Sequence, residues 1–379
     1  MTGRERVALA MSHREPDRVP VMCQLSVGHF VLKTGCSPVE FRHDPDVYAD
    51  VLYRVRELYA FDGILVSVPG SDPDWHAKVA TVIEVPGGIR VTYSEPLLNR
   101  SPYPIGDDAY YPFDDIPRPA RAVPMPPVDR VDPGAIDTLD PVPSWMLSNL
   151  RAVLARDDGR HSIHGETFSP FDGLVNVLGI EGAMMALIDA PGWCHAALER
   201  GLEYAANWAV AQARLGVDAV KISSPYVGGG LLSLRHYREF VLPYETRLVE
   251  RVKAEHPVPM YTHTCGAIGD RLELMAESGV DGIECLDPPP LGNVRLADAK
   301  RRVGHRLFIK GNIDSVNVLL PGDDAIIDAT ARRCIEDGAD GGGYILSTAC
   351  SVAPRVPQSA VARLASAAER WGTYSAGAQ

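Results

Sequence analysis

The feature that most constrains the fold is a regular alternation of short apolar runs and helical segments from residue 161 onward. Six runs have the length and composition of strands, and each is followed by a stretch with helical periodicity. The runs lie at 161–166, 217–223, 258–262, 280–285, 307–310 and 343–347. Strands that alternate with helices predict βαβ units and a parallel sheet.

Two further strands are expected nearer the N-terminus, at 19–25 and 61–68. Eight strands alternating with helices predict a (β/α)8 TIM barrel, a fold of the α/β class. A chain of 379 residues is compatible with one such domain over 1–379. The active sites of these barrels lie at the carboxyl ends of the strands.

An insertion is expected at about 78–145. Residues 80–85 and 89–93 are rich in β-forming residues and flank a Pro-Gly-Gly turn, which predicts a β-hairpin. Residues 96–143 are rich in Pro and Asp and show little periodicity. Loops of this length inside a domain are usually functional or disordered, so we expect a lid over one face of the barrel.

A histidine and a cysteine, His263 and Cys265, follow the run 258–262, and Cys350 follows the run 343–347. Residues i and i+2 of a strand point to the same side, so His263 and Cys265 can be aimed at one ion. Alone, this pair is equally compatible with a core histidine and a buried cysteine. With Cys350 at a second strand end, the donors predict a zinc site.

Glu284 is the expected fourth ligand, because it lies near the end of the run 280–285. Cys285 is adjacent, and strand alternation allows only one of the two to face the barrel interior. Glu284 is the preferred candidate. Since catalytic zinc keeps one position open or replaceable, Glu284 is expected to yield to the substrate and is counted as catalytic.

Other polar residues lie near the same predicted strand ends. His164 and Glu166 share one strand face and suit pocket acids or bases, or a hydrogen-bonded polar layer. Lys221 is compatible with a role in binding an anionic group and equally with a solvated position. Asn312 and Asp314 are compatible with a place in the pocket and equally with shaping a turn. The further catalytic candidates are His164, Asn312 and Asp314, and the substrate-binding candidates are Lys221, Glu166 and Tyr226.

Composition narrows the functional classes. The net charge of −12 argues against nucleic acid as a partner. No apolar run approaches the roughly 20 residues that span a bilayer, and the first residues lack the apolar core of a signal peptide. We therefore expect a cytoplasmic protein. Its seven cysteines are an odd number and indicate reduced thiols rather than a disulfide framework.

The chain resembles the uroporphyrinogen decarboxylase superfamily over nearly its whole length. The segments that carry the resemblance are 4–6, 15–20, 263–266, 311–314 and 342–347. The resemblance implies a (β/α)8 barrel. The decarboxylases of the superfamily use no metal and bind porphyrinogen through an arginine-rich segment, whereas residues 22–30 contain no arginine here.

Another branch of the superfamily contains zinc methyltransferases that act with corrinoid proteins, and their His-x-Cys…Cys motif matches His263, Cys265 and Cys350. Cobalamin-independent methionine synthase has a similar order, with a glutamate that matches Glu284. The resemblance implies a zinc-dependent methyltransferase that moves a methyl group between a corrinoid or pterin carrier and a zinc-activated thiol. Candidate partners are a small-molecule substrate, a corrinoid protein and a second copy of the chain.

Two alternatives stay open. One is a metal-independent decarboxylase or lyase that acts on a small carboxylate. The other is a carrier of zinc or corrinoid without catalytic activity, which a closed set of protein ligands would suit better than a replaceable one. Metal content distinguishes the decarboxylase from the methyltransferase, and methyl transfer to thiols distinguishes a carrier from an enzyme.

Overall fold

The fold is built around a parallel sheet, which the computed structural model describes together with its surroundings over residues 1–98, 100, 108–114 and 127–374. The described residues form ten strands: β1 (Gly63–Val66), β2 (Val79–Val85), β3 (Gly88–Tyr93), β4 (Asp108–Pro112), β5 (Ser162–Phe168), β6 (Ala219–Ser223), β7 (Met260–Thr264), β8 (Gly282–Cys285), β9 (Phe308–Ile313) and β10 (Tyr344–Thr348). Seven of them form one parallel sheet in the order β1-β5-β6-β7-β8-β9-β10. The six strands expected from residue 161 onward are all present, and the parallel α/β fold is confirmed.

Helices connect these strands and cover the outside of the sheet. The described residues form thirteen α-helices: α1 (Gly3–Met11), α2 (Val27–Thr34), α3 (Pro38–His43), α4 (Pro45–Tyr59), α5 (Ser148–Arg156), α6 (Pro170–Asp189), α7 (Pro191–Ala213), α8 (Leu234–Phe240), α9 (Leu242–Glu255), α10 (Leu272–Glu277), α11 (Leu296–Val303), α12 (Asp324–Gly338) and α13 (Gln358–Trp371).

The sheet is strongly curled, since His164 of β5 and Tyr261 of β7 are in contact across the intervening β6. The amino ends of the strands are covered by α1, whose Val7 packs in one cluster with Tyr261 and Phe308. The carboxyl ends lie at the opposite end of the curled sheet.

The N-terminal strand expected at 19–25 is not a regular strand. Val21 and Leu25 form only isolated bridges, to Leu346 and Val352. The backbone of Met22 donates to Leu346 O at 3.1 Å, and Asp62, directly before β1, donates its backbone N–H to Val21 O at 2.8 Å. The segment thus lies beside both edge strands, while a closed eight-stranded barrel stays a prediction.

The predicted hairpin is confirmed as β2 and β3, which pair in antiparallel fashion. The strand β4 joins them in a second, three-stranded sheet, although residues 96–143 were expected to lack regular structure. The prediction for that stretch falls partly outside the described residues, at 99, 101–107 and 115–126. Within the described part, Tyr111 of β4 packs with Val91 and Val39. The single-domain boundaries stay a prediction, and the second sheet falls within the expected insertion.

The expectation that no segment reaches membrane-spanning length needs one correction. By length and composition alone, α6 could cross a membrane, with a mean hydropathy of 1.5 over its most apolar window. This criterion is weak, because core helices of soluble proteins also meet it, and 44% of that window is buried inside the protein. The helix is also interrupted at Gly179, where φ is 71° and ψ is 168°.

Candidate metal centre

Three cysteines and a histidine meet at the carboxyl ends of the strands. His263 lies in β7, and Cys265 directly follows that strand. Cys285 is the last residue of β8, and Cys350 follows β10 by two residues. Because neighbouring parallel strands end at the same edge of a sheet, residues far apart in the sequence come together here.

The distances in this cluster fit a tetrahedral metal ion. Cys265 Sγ lies 3.4 Å from His263 Nε2 and 3.6 Å from Cys350 Sγ. Zn–S bonds of about 2.3 Å and Zn–N bonds of about 2.0 Å place tetrahedral ligand atoms roughly 3.5–3.8 Å apart. His263, Cys265 and Cys285 also offer ligand atoms that all lie within 4.8 Å of one another. Imidazole and thiolate donors favour zinc among the common ions.

Glu284 contacts the far side of the His263 ring. Its Oε2 accepts a hydrogen bond from His263 Nδ1 at 3.0 Å, and its Oε1 pairs with the ammonium group of Lys310. Lys221 Nζ lies 3.9 Å from Oε2. Burial would raise the pKa of the Glu284 carboxyl, but Lys310 and Lys221 outweigh burial and hold that pKa well below its usual range. A carboxylate on Nδ1 fixes the ring so that Nε2 can face an ion, and Glu284 as a ligand stays a prediction.

Cys285 reaches the cluster because β8 ends in a left-handed backbone turn. Cys285 and Leu286 have φ values of 86° and 55°, in the left-handed region that non-glycine residues rarely adopt. The side-chain amide of Asn312 donates to Leu286 O at 2.9 Å and supports this turn. The expectation that only Glu284 or Cys285 could face the interior is therefore corrected, since the left-handed backbone breaks the alternation.

The charges of the cluster favour a thiolate. Burial would lower the pKa of His263, but hydrogen bonds to Cys265, Cys350 and Glu284 outweigh it and raise that pKa well above its usual range. Hydrogen bonds with Cys265 and Cys285 lower the pKa of Cys350 well below its usual range, against the effect of burial. Burial raises the pKa of Cys285. Thiolates are the form of cysteine that binds metals.

A layer of paired polar residues lies beneath the cluster. Lys221 Nζ lies 2.8 Å from Glu166 Oε1 and donates to Gln24 Oε1 at 2.6 Å. His164 Nδ1 lies 3.0 Å from the hydroxyl of Tyr261. Burial, followed by the charge of Lys310, lowers the pKa of His164 to about 3, so the ring is neutral. The structure thus brings the candidates His164, Glu166 and Lys221 together with Glu284.

Asn312 and Asp314 do not face the cluster. Besides its bond to Leu286, Asn312 lies 3.8 Å from Cys334 Sγ on α12. Asp314 Oδ1 accepts from the backbone of Val316 and Asn317 at 2.8 Å each and so caps a short π-helical turn. Both line a separate cavity of about 670 Å³ between α11 and α12. The geometry thus favours the alternative that they shape turns, and catalytic roles for them stay a prediction.

Tyr226 lies in a 3-10 turn after β6. Burial is the main cause that raises the pKa of its hydroxyl, and the Asp172 carboxyl and the Cys265 thiol contribute. Asp172 was not anticipated from the sequence. It is buried, its Oδ2 has no hydrogen-bond partner among the described residues, and burial followed by Glu245 raises its pKa well above its usual range. A buried carboxyl group with a raised pKa is a candidate proton donor.

Lys310 and Gln24 were also missed as site residues. A lysine within the apolar run 307–310 was the available signal for Lys310, because fully buried lysines need a partner. Gln24 carried no such signal. Cys285 was weighed as the alternative to Glu284, and the assumption of regular alternation made it the less favoured of the two.

A cavity of about 490 Å³ opens beside the cluster. Its polar lining residues are Gln24, Ser26, Arg42, Ser67, Glu166 and Ser351. Glu166 connects the cavity to Lys221, and Ser351 is the chain neighbour of Cys350. The cavity is therefore large enough, and close enough to the donors, to receive a small substrate.

Comparisons with known proteins give two kinds of relatives. The methylcobamide:CoM methyltransferase MtaA of Methanosarcina barkeri is 23% identical over 377 residues, which cover 98% of each chain. The uroporphyrinogen decarboxylase of Thioalkalivibrio sulfidiphilus is 30% identical over 233 residues, which are 58% of this chain and 62% of the decarboxylase. Two further decarboxylases are matched over 49% and 42% of their length. The chain thus aligns with between 42% and 62% of the length of these three decarboxylases.

A solved structure shares the fold. A methyltransferase from Methanosarcina mazei superposes with a TM-score of 0.72 at 18% identity, over 98% of this chain and 99% of that one. The sequence pattern described as Uroporphyrinogen decarboxylase (URO-D) matches residues 115–371, which is more than half of the chain. Relatives with methyltransferase and decarboxylase activity both occur. The chain belongs to the uroporphyrinogen decarboxylase (URO-D) family.

Proposed function

We propose that this protein is a zinc-dependent methyltransferase that moves a methyl group between a corrinoid or pterin carrier and a thiol. The observation that carries the proposal is the spacing of His263, Cys265 and Cys350, with Glu284 on the far nitrogen of the histidine. One imidazole and two thiols are a donor set that zinc prefers. The name of the methylcobamide:CoM methyltransferase relative supports a corrinoid as the methyl carrier.

The residues around the cluster have separate tasks. His263, Cys265 and Cys350 would hold the ion, which supplies a Lewis acid that keeps a bound thiol ionised near neutral pH. Glu284 orients His263, and Lys310 and Lys221 keep Glu284 ionised. The cavity beside the cluster receives the acceptor thiol, whose thiolate is the nucleophile toward the methyl group.

The proposed partners follow from the proposed methyl-transfer reaction. A corrinoid carried on a protein would have to approach the carboxyl end of the sheet, where the cluster lies. A small thiol would enter the neighbouring cavity. A homodimer and a cytoplasmic location stay predictions from the sequence.

The test combines zinc content with turnover. The purified protein should contain about one zinc per chain, and with methylcobalamin and a panel of thiols it should convert the corrinoid spectrum to that of the demethylated form. Chelation or Cys350→Ser should stop this reaction. Cys36→Ser changes a half-buried cysteine outside the cluster and should react like the wild type.

Decarboxylation of a small carboxylate is the second candidate, because decarboxylases are among the relatives at 30% identity. This reading predicts carbon dioxide release that needs no thiol and is insensitive to chelators. If the thiol panel shows no methyl transfer and chelated protein still decarboxylates a substrate, the methyltransferase proposal is wrong.

A further inference from the structure

The third thiol of the cluster, Cys285, is not among the proposed metal ligands His263, Cys265 and Cys350. Its side chain is fully buried, and its ligand atom lies within 4.8 Å of those of His263 and Cys265. Cys265 Sγ in turn lies 3.6 Å from Cys350 Sγ. A buried thiol that lies this close to two metal donors, one of them next to a third, is placed as a fourth donor would be.

Glu284, the other residue near the end of β8, is poorly available as a ligand. Oε2 accepts from His263 Nδ1 and Oε1 pairs with Lys310. Glu284 is only 1% exposed, and both Lys310 and Lys221 are 0% exposed. If the carboxylate moved to an ion, Lys310 would lose its only described carboxylate partner in a buried site. Uncompensated buried charges are strongly unfavourable.

The backbone of Cys285 differs from that of the other donors. Cys285 and Leu286 are the two consecutive left-handed non-glycine residues among the described residues. Such conformations are strained and persist only where the surroundings impose them. Here Asn312 holds the turn through Leu286 O. His263 and Cys265, in contrast, have no such strain, and Glu284 additionally fixes the ring of His263.

We propose that Cys285 is the fourth protein ligand of the metal and the one that gives way when the acceptor thiol binds, while Glu284 remains on His263. The inference rests on the proposed metal site. The exchange is balanced: the bond from Cys285 sulfur to the ion breaks, a bond from the acceptor sulfur forms, and the acceptor's proton passes to Cys285. No electrons are transferred, and no further reactant is needed.

The number of sulfur atoms bound to zinc distinguishes Cys285 from Glu284 or water as the fourth ligand. X-ray absorption of the zinc protein at rest should show three sulfurs and one nitrogen, from Cys265, Cys285, Cys350 and His263. Excess 2-mercaptoethanol should leave the count at three, because one sulfur replaces another. If Glu284 or water were the fourth ligand, the count would be two at rest and three with the thiol. That result would overturn the inference.

Variants give a second readout. Cys285→Ser should lower the resting sulfur count from three to two and restore three on addition of 2-mercaptoethanol. Glu284→Gln should retain three sulfurs, as should the control Cys36→Ser. The cobalt-substituted wild-type protein gives an independent count through its sulfur-to-cobalt charge-transfer absorption, which should not increase when the thiol is added.

The outcomes also separate this inference from the proposed function. Zinc bound by two sulfurs in the resting wild type, with methyl transfer intact, contradicts the role of Cys285 alone. A wild-type protein that binds no zinc contradicts both. An unchanged sulfur count in Cys285→Ser contradicts the assignment of Cys285, even if the wild type shows three sulfurs.

Discussion

Glu284 Oε2 lies 3.0 Å from His263 Nδ1, and Cys265 Sγ lies 3.4 Å from the other nitrogen of the same ring. A single imidazole thus joins a buried network of ion pairs to a cluster of thiols. Any change that shifts Glu284 is expected to turn the ring and to disturb the donor positions. Substitutions in the ion-pair network should therefore be tested for their effect on metal binding as well as on stability.

Glu284→Gln is expected to destabilise the protein and to weaken zinc binding. Loss of the carboxylate leaves Lys310 without its buried partner, which should lower the free energy of unfolding by about 3–5 kcal/mol. Loss of the carboxylate on His263 should weaken zinc binding about 10–100-fold. Urea unfolding and competition with a zinc chelator measure the two effects.

The matched control for that prediction is Glu199→Gln, which breaks the exposed pair between Glu199 and Arg247. Exposed pairs contribute about 1 kcal/mol or less, so this variant should unfold almost like the wild type. Equal stability of the two variants would show that the buried network contributes no more than a surface pair.

Cys265→Ser combined with Cys350→Ser is expected to abolish zinc binding while the protein stays folded. These substitutions remove two donors from the cluster but no part of the large apolar core, in which neither residue takes part. Elemental analysis and circular dichroism are the measurements. Retention of zinc at the wild-type level in the folded double variant would exclude the site.

The stability of the protein is expected to depend on the protonation of Glu245. Burial raises the pKa of this carboxyl group from 4.5 to about 7, against a hydrogen bond from Ser224. A raised folded-state pKa contributes stability at pH values below 4.5, and this contribution is lost as the pH rises to about 7. The loss is about 3 kcal/mol, the difference of roughly 2.5 pKa units.

Glu245→Gln removes that titration and tests it. The wild type should lose stability relative to Glu245→Gln between about pH 4.5 and about pH 7, as measured by urea unfolding. Above this window the difference between the two proteins should be constant. A difference that does not vary with pH would show that the carboxyl group titrates normally.

The segment 96–143 is expected to cover the mouth of the curled sheet and to move during turnover, as lids often do. Part of it is attached to α7, since Trp193 Nε1 donates to Val131 O at 2.7 Å and Arg200 Nε donates to Ile136 O at 2.9 Å. Limited proteolysis should be slower with substrate bound, and Arg200→Ala should accelerate it. Equal cleavage with and without ligand would contradict a lid.

The meeting of His263, Cys265 and Cys350 could be predicted from the sequence, because strand length and spacing determine where parallel strands end. Once the strands around 258–262 and 343–347 were recognised, their carboxyl ends had to meet at one edge. No side-chain contact had to be known for that inference. The same reasoning predicted Glu284 in the interior of the sheet but left Lys221 open between an anion site and a solvated position, and the structure buries both side chains.

Other features depended on backbone conformations that the sequence does not reveal. Cys285 adopts a left-handed φ of 86° although it is not a glycine, and a tertiary contact from Asn312 sustains the turn. The strand β4 lies in a Pro-rich stretch and forms only because β3 offers it a partner. Lys310 could be seen as a lysine in an apolar strand, but its partner could not be inferred from local pattern.

The segment that lies beside both edge strands has a consequence for the synthesis of the chain. Val21 bridges Leu346, and Arg18 bridges Thr373, so residues that leave the ribosome early pair with residues that leave it much later. Until the C-terminal part emerges, the side of this segment that pairs with β10 has no neighbour, and exposed strand edges attract other chains. A ribosome that stalls before residue 346 is therefore expected to release a chain that needs a chaperone rather than a partly folded enzyme.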